Sequence, residues 1–298
     1  MTPWTRADPE RSRLSRFLLV LSVSVLVVYI AVCVFFYFLQ DAMTFPAPTQ
    51  YAKATPSDVG IVFEDLHIPV NGSDQIHCWW IPANSASDRV VLVFHGNGYV
   101  LDQGISQKFA IDIEFIPLHR VAANLLLIDY RGYGSSSPGV PNEKRVFEDA
   151  RAAFAYLRTQ RKVESRNIVL LGRSIGTGPA TQLAVEHPDA GGLILISPFT
   201  SVPDAAKAIS YLNAFPIRLL SHNRFDNLSK IASVRIPVFI AVGTVDDLTP
   251  PAMAQALFQK ANEPKRLYLV PGAGHNSVIS VGGETLLDQI SAFLETLR

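Results

Sequence analysis

Cysteine is nearly absent from this chain. Two of its 298 residues are Cys, Cys33 and Cys78. Cys33 lies inside a long apolar run, so Cys78 has no partner in the remainder and a disulfide framework is excluded. Net charge is absent as well: 26 Lys and Arg balance 26 Asp and Glu, for a formal charge of +0. No basic block marks a nucleic-acid-binding face. There is no internal repeat and no low-complexity tract, which removes solenoid and linker-like architectures.

Charge is also missing from the whole of Phe17–Leu39, and that run accounts for much of a 48% hydrophobic composition. Its length, about 23 residues, suffices to cross the hydrocarbon core as a helix. Signal-peptide cores are shorter and end at small residues, whereas Tyr29–Leu39 stays bulky and aromatic up to Gln40. The run therefore predicts an uncleaved anchor. Arg6, Arg11, Arg13 and Arg16 precede it, and no Lys or Arg follows before Lys53. Positive flanks stay in the cytoplasm, so the amino terminus is expected inside, with the large domain periplasmic, otherwise extracytoplasmic, or lumenal.

After a Pro- and Ala-containing connector, Phe45–Pro56, two alternating runs, Ile61–Val70 and Gln75–Pro82, flank the turn signal Asn71-Gly72-Ser73-Asp74. They predict an antiparallel hairpin at a sheet edge. The rhythm then becomes strand and helix in turn. Strands are expected at Arg89–His95, Asn124–Tyr130, Asn167–Gly172, Gly192–Ser197, Ile236–Gly243 and Arg266–Val270. A helical or irregular stretch is expected at Leu101–His119, and helices at Glu143–Gln160 and Leu286–Leu297. The inner strands are unbroken apolar runs, as when both faces of a parallel sheet are covered, and the alternation predicts a doubly wound α/β domain. Between Ser197 and Arg235 the rhythm breaks into one or two short apolar helices, carrying Phe199, Ile209, Leu212, Phe215, Ile217, Leu219, Leu220 and Phe225. Ligands of open α/β sheets bind at the carboxyl ends of the strands. This segment reads either as a cap lining an acyl pocket or as a surface helix pair with its own small core.

Gly172-Arg173-Ser174-Ile175-Gly176 sits between a predicted strand and a predicted helix. A serine on so sharp a turn needs glycine on both sides, and the turn pushes its oxygen into the open. Gly172, Gly176 and Gly178 also fit a dinucleotide-binding turn. That reading wants the first βαβ unit and an acid about 20 residues later, and Gly191–Ser197 holds no acid.

A serine hydroxyl needs a base, and the base needs an acid to hold its tautomer. In strand–turn–helix elbows the partners follow in the order serine, acid, histidine. Of seven histidines, His222 and His275 lie well downstream of the elbow helix. His275, in the loop Gly272-Ala273-Gly274-His275-Asn276, is the expected base, and His222 a surface residue of the cap. The acid is Asp246 or Asp247, with Asp246 favoured as nearer the strand end; either could instead cap the helix signalled by Thr249 and the prolines. An oxyanion needs backbone N–H donors: one from Ile175, and one from His95-Gly96-Asn97-Gly98, most simply Asn97, with Gly98 the alternative.

Other suggestive residues read more simply. His95 ends a strand before the nucleophile and is expected to be structural. Asp129-Tyr130-Arg131-Gly132-Tyr133-Gly134 predicts a Gly-rich turn fixed by an Asp–Arg interaction, as does Arg224-Phe225-Asp226. Trp79-Trp80 reads as core and edge packing.

Taken together, His95-Gly96-Asn97-Gly98, Asp129–Gly134, Gly172–Gly176, Ser197-Pro198-Phe199-Thr200-Ser201, Arg224-Phe225-Asp226 and Gly274-His275-Asn276 resemble the membrane-anchored, α/β-hydrolase-domain-containing serine hydrolases over roughly Phe45–Arg298. The resemblance implies the α/β-hydrolase fold, with a mostly parallel eight-stranded sheet, and Ser174, Asp246 and His275 in the three triad roles. One departure is Ala241-Val242-Gly243, where many relatives carry His-Gly. The chain then divides into a cytoplasmic tail (1–16), a transmembrane helix (17–39), a connector (40–58) and a hydrolase domain (59–298) with its cap at about 199–235. The expected activity is cleavage of carboxylic or thio esters of a lipid or other acylated molecule, with no metal and no organic cofactor. The alternatives are a serine peptidase with the same triad, or an inactive binding protein.

Overall fold

A computed structural model describes residues 9–47, 55–84, 86–101, 118, 123–208 and 210–297. The chain forms two compact units, Met1–Gln40 and Asp41–Arg298. Helix α1, Pro9–Thr44, begins in the first and ends in the second. Arg13–Thr44 is long and apolar enough to cross a membrane, with a mean hydropathy of 3.0 over its most apolar window. A helix apolar around its whole circumference requires an apolar cover, yet Phe17, Val20, Val28 and Phe38 are exposed in this chain.

The second unit is built on one eight-stranded sheet in the order β1-β2-β4-β3-β5-β6-β7-β8. The hairpin pairs β1, Glu64–Asn71, with β2, Asp74–Ile81, across Gly72-Ser73. Strand β2 joins β4, Asn124–Ile128, antiparallel. All later pairings are parallel: β3, Val90–Phe94; β5, Ile168–Arg173; β6, Gly192–Ile196; β7, Val238–Gly243; β8, Lys265–Val270. Of the six inner strands, β4, β3, β5, β6 and β7 are buried almost throughout and β2 over its last six residues, whereas β1 at one edge and β8 at the other are partly exposed to solvent.

Side chains of successive strand residues point to opposite faces, and the two faces serve two cores. On one, Leu92, Ile128, Leu170, Leu195 and Ile240 pack with α2, Glu143–Thr159, α3, Thr177–Glu186, and α7, Pro251–Lys260. On the other, Val93, Leu127, Leu171, Ile196 and Phe239 pack with α8, Val278–Thr296. The closing helix starts earlier than Leu286 because Gly282-Gly283 hides its first turn; the helix breaks at Gly283, with φ +46°. The stretch expected at Leu101–His119 lies outside the described residues except for Leu101 and Leu118.

Among the described residues, the segment from Ser197 to Arg235 holds three short α-helices rather than one or two: α4, Val202–Ala208, α5, Ile217–Leu220, and α6, Asn227–Lys230. Its two halves differ. Leu219 is exposed, while Phe225, Ile231 and Val234 are fully buried in the core beside α2 and α3. Phe225 sits where a side chain at position 178 would be: a Cβ built on Gly178 falls 2.1 Å from Phe225 Cδ1. The second half of the segment is therefore part of the main core beside α2 and α3, whereas Leu219 in the first half lies at the surface. Ile209 lies outside the described residues.

Candidate active site

Strand β5 is an unbroken apolar run that ends at Arg173, and α3 begins at Thr177. Between them Ser174 takes a left-handed backbone, φ +50°, a conformation that costs a non-glycine residue about 1–3 kcal/mol. The flanking glycines make the turn possible. A Cβ on Gly172 would lie 2.3 Å from Gly176 O, and one on Gly176 would lie 2.1 Å from Phe94 O.

The loops after β7 and β8 supply two further groups. His275 Nε2 lies 2.9 Å from Ser174 Oγ, and His275 Nδ1 lies 2.9 Å from Asp246 Oδ2 and 3.1 Å from Oδ1. A proton on Nδ1 donated to the carboxylate leaves the Nε2 lone pair to accept the serine hydroxyl, the tautomer that base catalysis needs. Asp246 and His275 are buried, whereas Asp247 is exposed and has no part in the chain of hydrogen bonds. Burial alone would raise the Asp246 carboxyl. Hydrogen bonds from His275 and Thr249 outweigh it and hold the group below the ordinary carboxylate range. The loop after β3 lies directly against the serine, with a Cβ built on Gly96 3.5 Å from Ser174 Cβ.

Comparison with known proteins agrees with this fold. The serine aminopeptidase S33 family matches residues 86–229. An uncharacterized protein of Mycobacterium tuberculosis is 36% identical over 231 residues, 77% of this chain and 78% of its own length. The human alpha/beta hydrolase domain-containing protein 17B is 34% identical over 210 residues, 69% of this chain and 66% of its own length. The Pyrococcus furiosus esterase Pf2001 superposes with a TM-score of 0.68 at 20% identity, covering 84% of this chain and 97% of the esterase.

The chain belongs to the α/β-hydrolase superfamily.

In this hydrolase the remaining sequence candidates fall as follows. Ile175 directly follows the serine at the one-turn entry to α3, and Asn97 lies in the loop against it. His95 is buried with its Nδ1 2.7 Å from Gly96 O, and its own carbonyl accepts the Tyr130 hydroxyl at 3.0 Å. It belongs to the scaffold under that loop. His222 is exposed at the surface of the cap segment and meets Asp41 Oδ1 at 2.7 Å. Trp79 and Trp80 are both core, on opposite faces of β2, and Trp80 is covered by the Arg161 guanidinium, 4.5 Å from its ring.

The Asp–Arg reading of the Gly-rich turn needs correction. Arg131 is held by Asp149, Nε to Oδ1 at 2.5 Å, and by Glu148 and Asp74, not by Asp129. Asp129 instead accepts the Leu101 N–H at 3.0 Å and stands 3.4 Å from both His77 Nδ1 and His95 Nε2. Similarly, Asp226 caps α6 through the Ser229 N–H, and Arg224 donates to the Arg218 carbonyl. Carboxylates on α2 and a free helix start compete better for these partners than the neighbours in sequence.

Burial would raise the Asp129 carboxyl as well, but His77 and His95 hold it below the usual range. A carboxylate depressed in the folded state stabilises the protein above its unfolded value, near pH 4, and loses that contribution as pH falls through the folded value. Asp129→Asn is expected to lower stability by about 2 kcal/mol at neutral pH. The gap to wild type should narrow as pH drops below about 4. Urea denaturation midpoints across a pH series would check this, and a gap independent of pH would contradict it.

Two site residues escaped the sequence reading. The Thr249 hydroxyl lies 3.0 Å from Asp246 Oδ2, 3.1 Å from His275 Nδ1 and 3.2 Å from Ser197 O, and its N–H donates to Asp246 Oδ1 at 2.8 Å. The signal was a faint one: an Asp followed by a turn accepts N–H groups two and three residues on, here those of Leu248 and Thr249. Arg173, beside the serine, donates to Asn276 Oδ1 beside the histidine at 3.2 Å. No sequence rule pairs those two.

Proposed function

We propose that this hydrolase is a serine esterase, anchored to a membrane by residues 17–39, that cleaves carboxylic or thio esters of a lipid or acylated molecule. The observation that carries the reading is the unbroken hydrogen-bond chain from Ser174 Oγ through His275 to Asp246. Ser174 Oγ attacks the acyl carbonyl while its proton passes to His275 Nε2. Asp246 holds the imidazolium that forms, and Thr249 fixes Asp246. The oxyanion is held by the N–H groups of Ile175 and Asn97. The Gly98 N–H is occupied by Asn97 Oδ1 at 3.1 Å, which favours Asn97 over Gly98. His275 then returns the proton to the departing alkoxide or thiolate, leaving an acyl-serine. Water attacks that ester, His275 takes its proton and passes it to Ser174 Oγ, and the acid leaves.

The uncharged run 17–39 within α1 supports a membrane location, and the arginines before that run support a cytoplasmic amino terminus. A peptidase reading draws on the serine aminopeptidase S33 match, which ends at residue 229, before Asp246 and His275. The first test is fluorophosphonate labelling of membranes holding the full chain. Labelling of wild type but not of Ser174→Ala is the expected result. Folded wild type that does not label would sink both catalytic readings in favour of a binding protein. A p-nitrophenyl acyl ester series run against aminoacyl anilides then separates esterase from peptidase, with the esters expected to turn over and the anilides not.

A further inference from the structure

Asn97 is exposed, yet three hydrogen bonds within the chain fix its side chain. Oδ1 accepts from the Tyr133 hydroxyl at 3.0 Å and from the Gly98 N–H at 3.1 Å, and Nδ2 donates to the Thr44 carbonyl at 2.7 Å. Thr44 belongs to Asp41–Ala47, the start of the second unit and the stretch that continues directly from the apolar run in sequence. This stretch is itself pinned. The Phe45 ring is buried against Phe225 with centroids 5.9 Å apart, and the Phe45 N–H donates to Asp41 O at 2.9 Å. The Asp41 carboxylate accepts from His222 Nε2 at 2.7 Å and from Asn223 Nδ2, and Asn223 Oδ1 in turn accepts the Glu143 N–H at the start of α2 at 2.8 Å. Pro46 O sits 4.0 Å from a Cβ built on Gly98.

We propose that Asp41–Phe45 is a positioning element for the oxyanion loop. Through the Thr44 carbonyl it fixes Asn97, and with it the direction of the Asn97 N–H. The loop needs such a clamp because Gly96 and Gly98 flank Asn97, Gly98 with φ +71°, and glycine leaves the intervening peptides free to rotate. An oxyanion donor accelerates the reaction only when it is already aimed at the charge that develops in the transition state. Freeing the loop should therefore lower kcat and leave KM nearly unchanged. The two residues of the segment that matter, Asp41 and Phe45, lie outside the catalytic chain and act through Asn97.

The inference rests on the serine-hydrolase reading, and its test keeps the two apart. The full chain in detergent micelles is assayed with p-nitrophenyl butyrate, with the folded fraction of each variant taken from thermal denaturation. Asn97→Ala is expected to lower kcat about 30-fold, Phe45→Leu about tenfold and Asp41→Ala about fivefold, with KM within about twofold of wild type. Because Phe45 and Asp41 act through Asn97, combining either with Asn97→Ala should cost little beyond Asn97→Ala alone. The proposal is overturned if the segment variants leave kcat unchanged, if their losses multiply with that of Asn97→Ala, or if the loss falls on KM. Asp41→Ala, which cuts only partly exposed contacts, carries the test if Phe45→Leu does not fold. Turnover that survives Ser174→Ala would instead overturn the serine-hydrolase reading itself.

Discussion

Replacing Ser174 with alanine is expected to lower kcat for an acyl ester by about 10⁶-fold, with KM close to wild type. In the proposed mechanism the hydroxyl forms the covalent bond, and His275 Nε2 at 2.9 Å has no other proton to take in that step. What remains is the activity of binding and of the two N–H donors, which typically exceeds the uncatalysed rate by 10³–10⁴-fold. The same reasoning fixes the double variant. Serine and histidine act as one unit, so Ser174→Ala combined with His275→Ala should be no slower than either alone. Steady-state kinetics on the single and double variants would check both statements. Losses that multiply would mean that His275 acts independently of Ser174, and the proton path drawn above would be wrong.

Asp246→Asn should cost about 10⁴-fold in kcat while leaving the fold intact. The carboxylate accepts hydrogen bonds from Nδ1 of His275, from Thr249 and from the Leu248 N–H. An amide there presents an NH₂ to Nδ1 in one of its two orientations. The imidazole then keeps its proton on Nε2, where it points at the serine hydroxyl and cannot accept from it. Size is unchanged and the helix-start hydrogen bonds can persist, so the melting temperature should move little. Asp247→Asn is the internal control: Asp247 is adjacent and exposed, with no contact to His275, and its kcat should stay within about twofold. Equal losses from the two variants would remove Asp246 from the acid role.

Much of this architecture was legible because two physical signals are strong and local. Unbroken runs such as Val90–Phe94 and Val238–Gly243 fit only strands covered on both faces, and the glycine pair around Ser174 is demanded by contacts of about 2 Å with backbone oxygens. Chain order and a place just past strand ends single out Asp246 and His275, and the structure brings both side chains into one hydrogen-bond chain with Ser174. The failures share a cause. Arg131 passes over the Asp two residues away for Asp149 on a different element, and Arg173 finds Asn276 across two loops. Such pairings are settled by which side chains the assembled sheet brings together, which local spacing does not record. Likewise Thr249 announced a helix start but not its reach to His275. The short helices after Ser197 were expected, but not their number and bounds, because each spans about one or two turns, too few to display a period.

The division of every inner strand between two cores has a bearing on how this protein has been free to change in length. One residue gained or lost within Ile168–Arg173 would exchange the sets facing α2 and α3 with those facing α8, and would rotate Ser174 away from His275. No compensating change at a single site could undo that. Insertions and deletions should therefore be tolerated best where side-chain parity carries no meaning, such as the Gly72-Ser73 turn and the exposed stretch near Leu219. In descendants of this sequence, those are the places where novelty in size accumulates, while the spacing from each inner strand to its loop stays as it is.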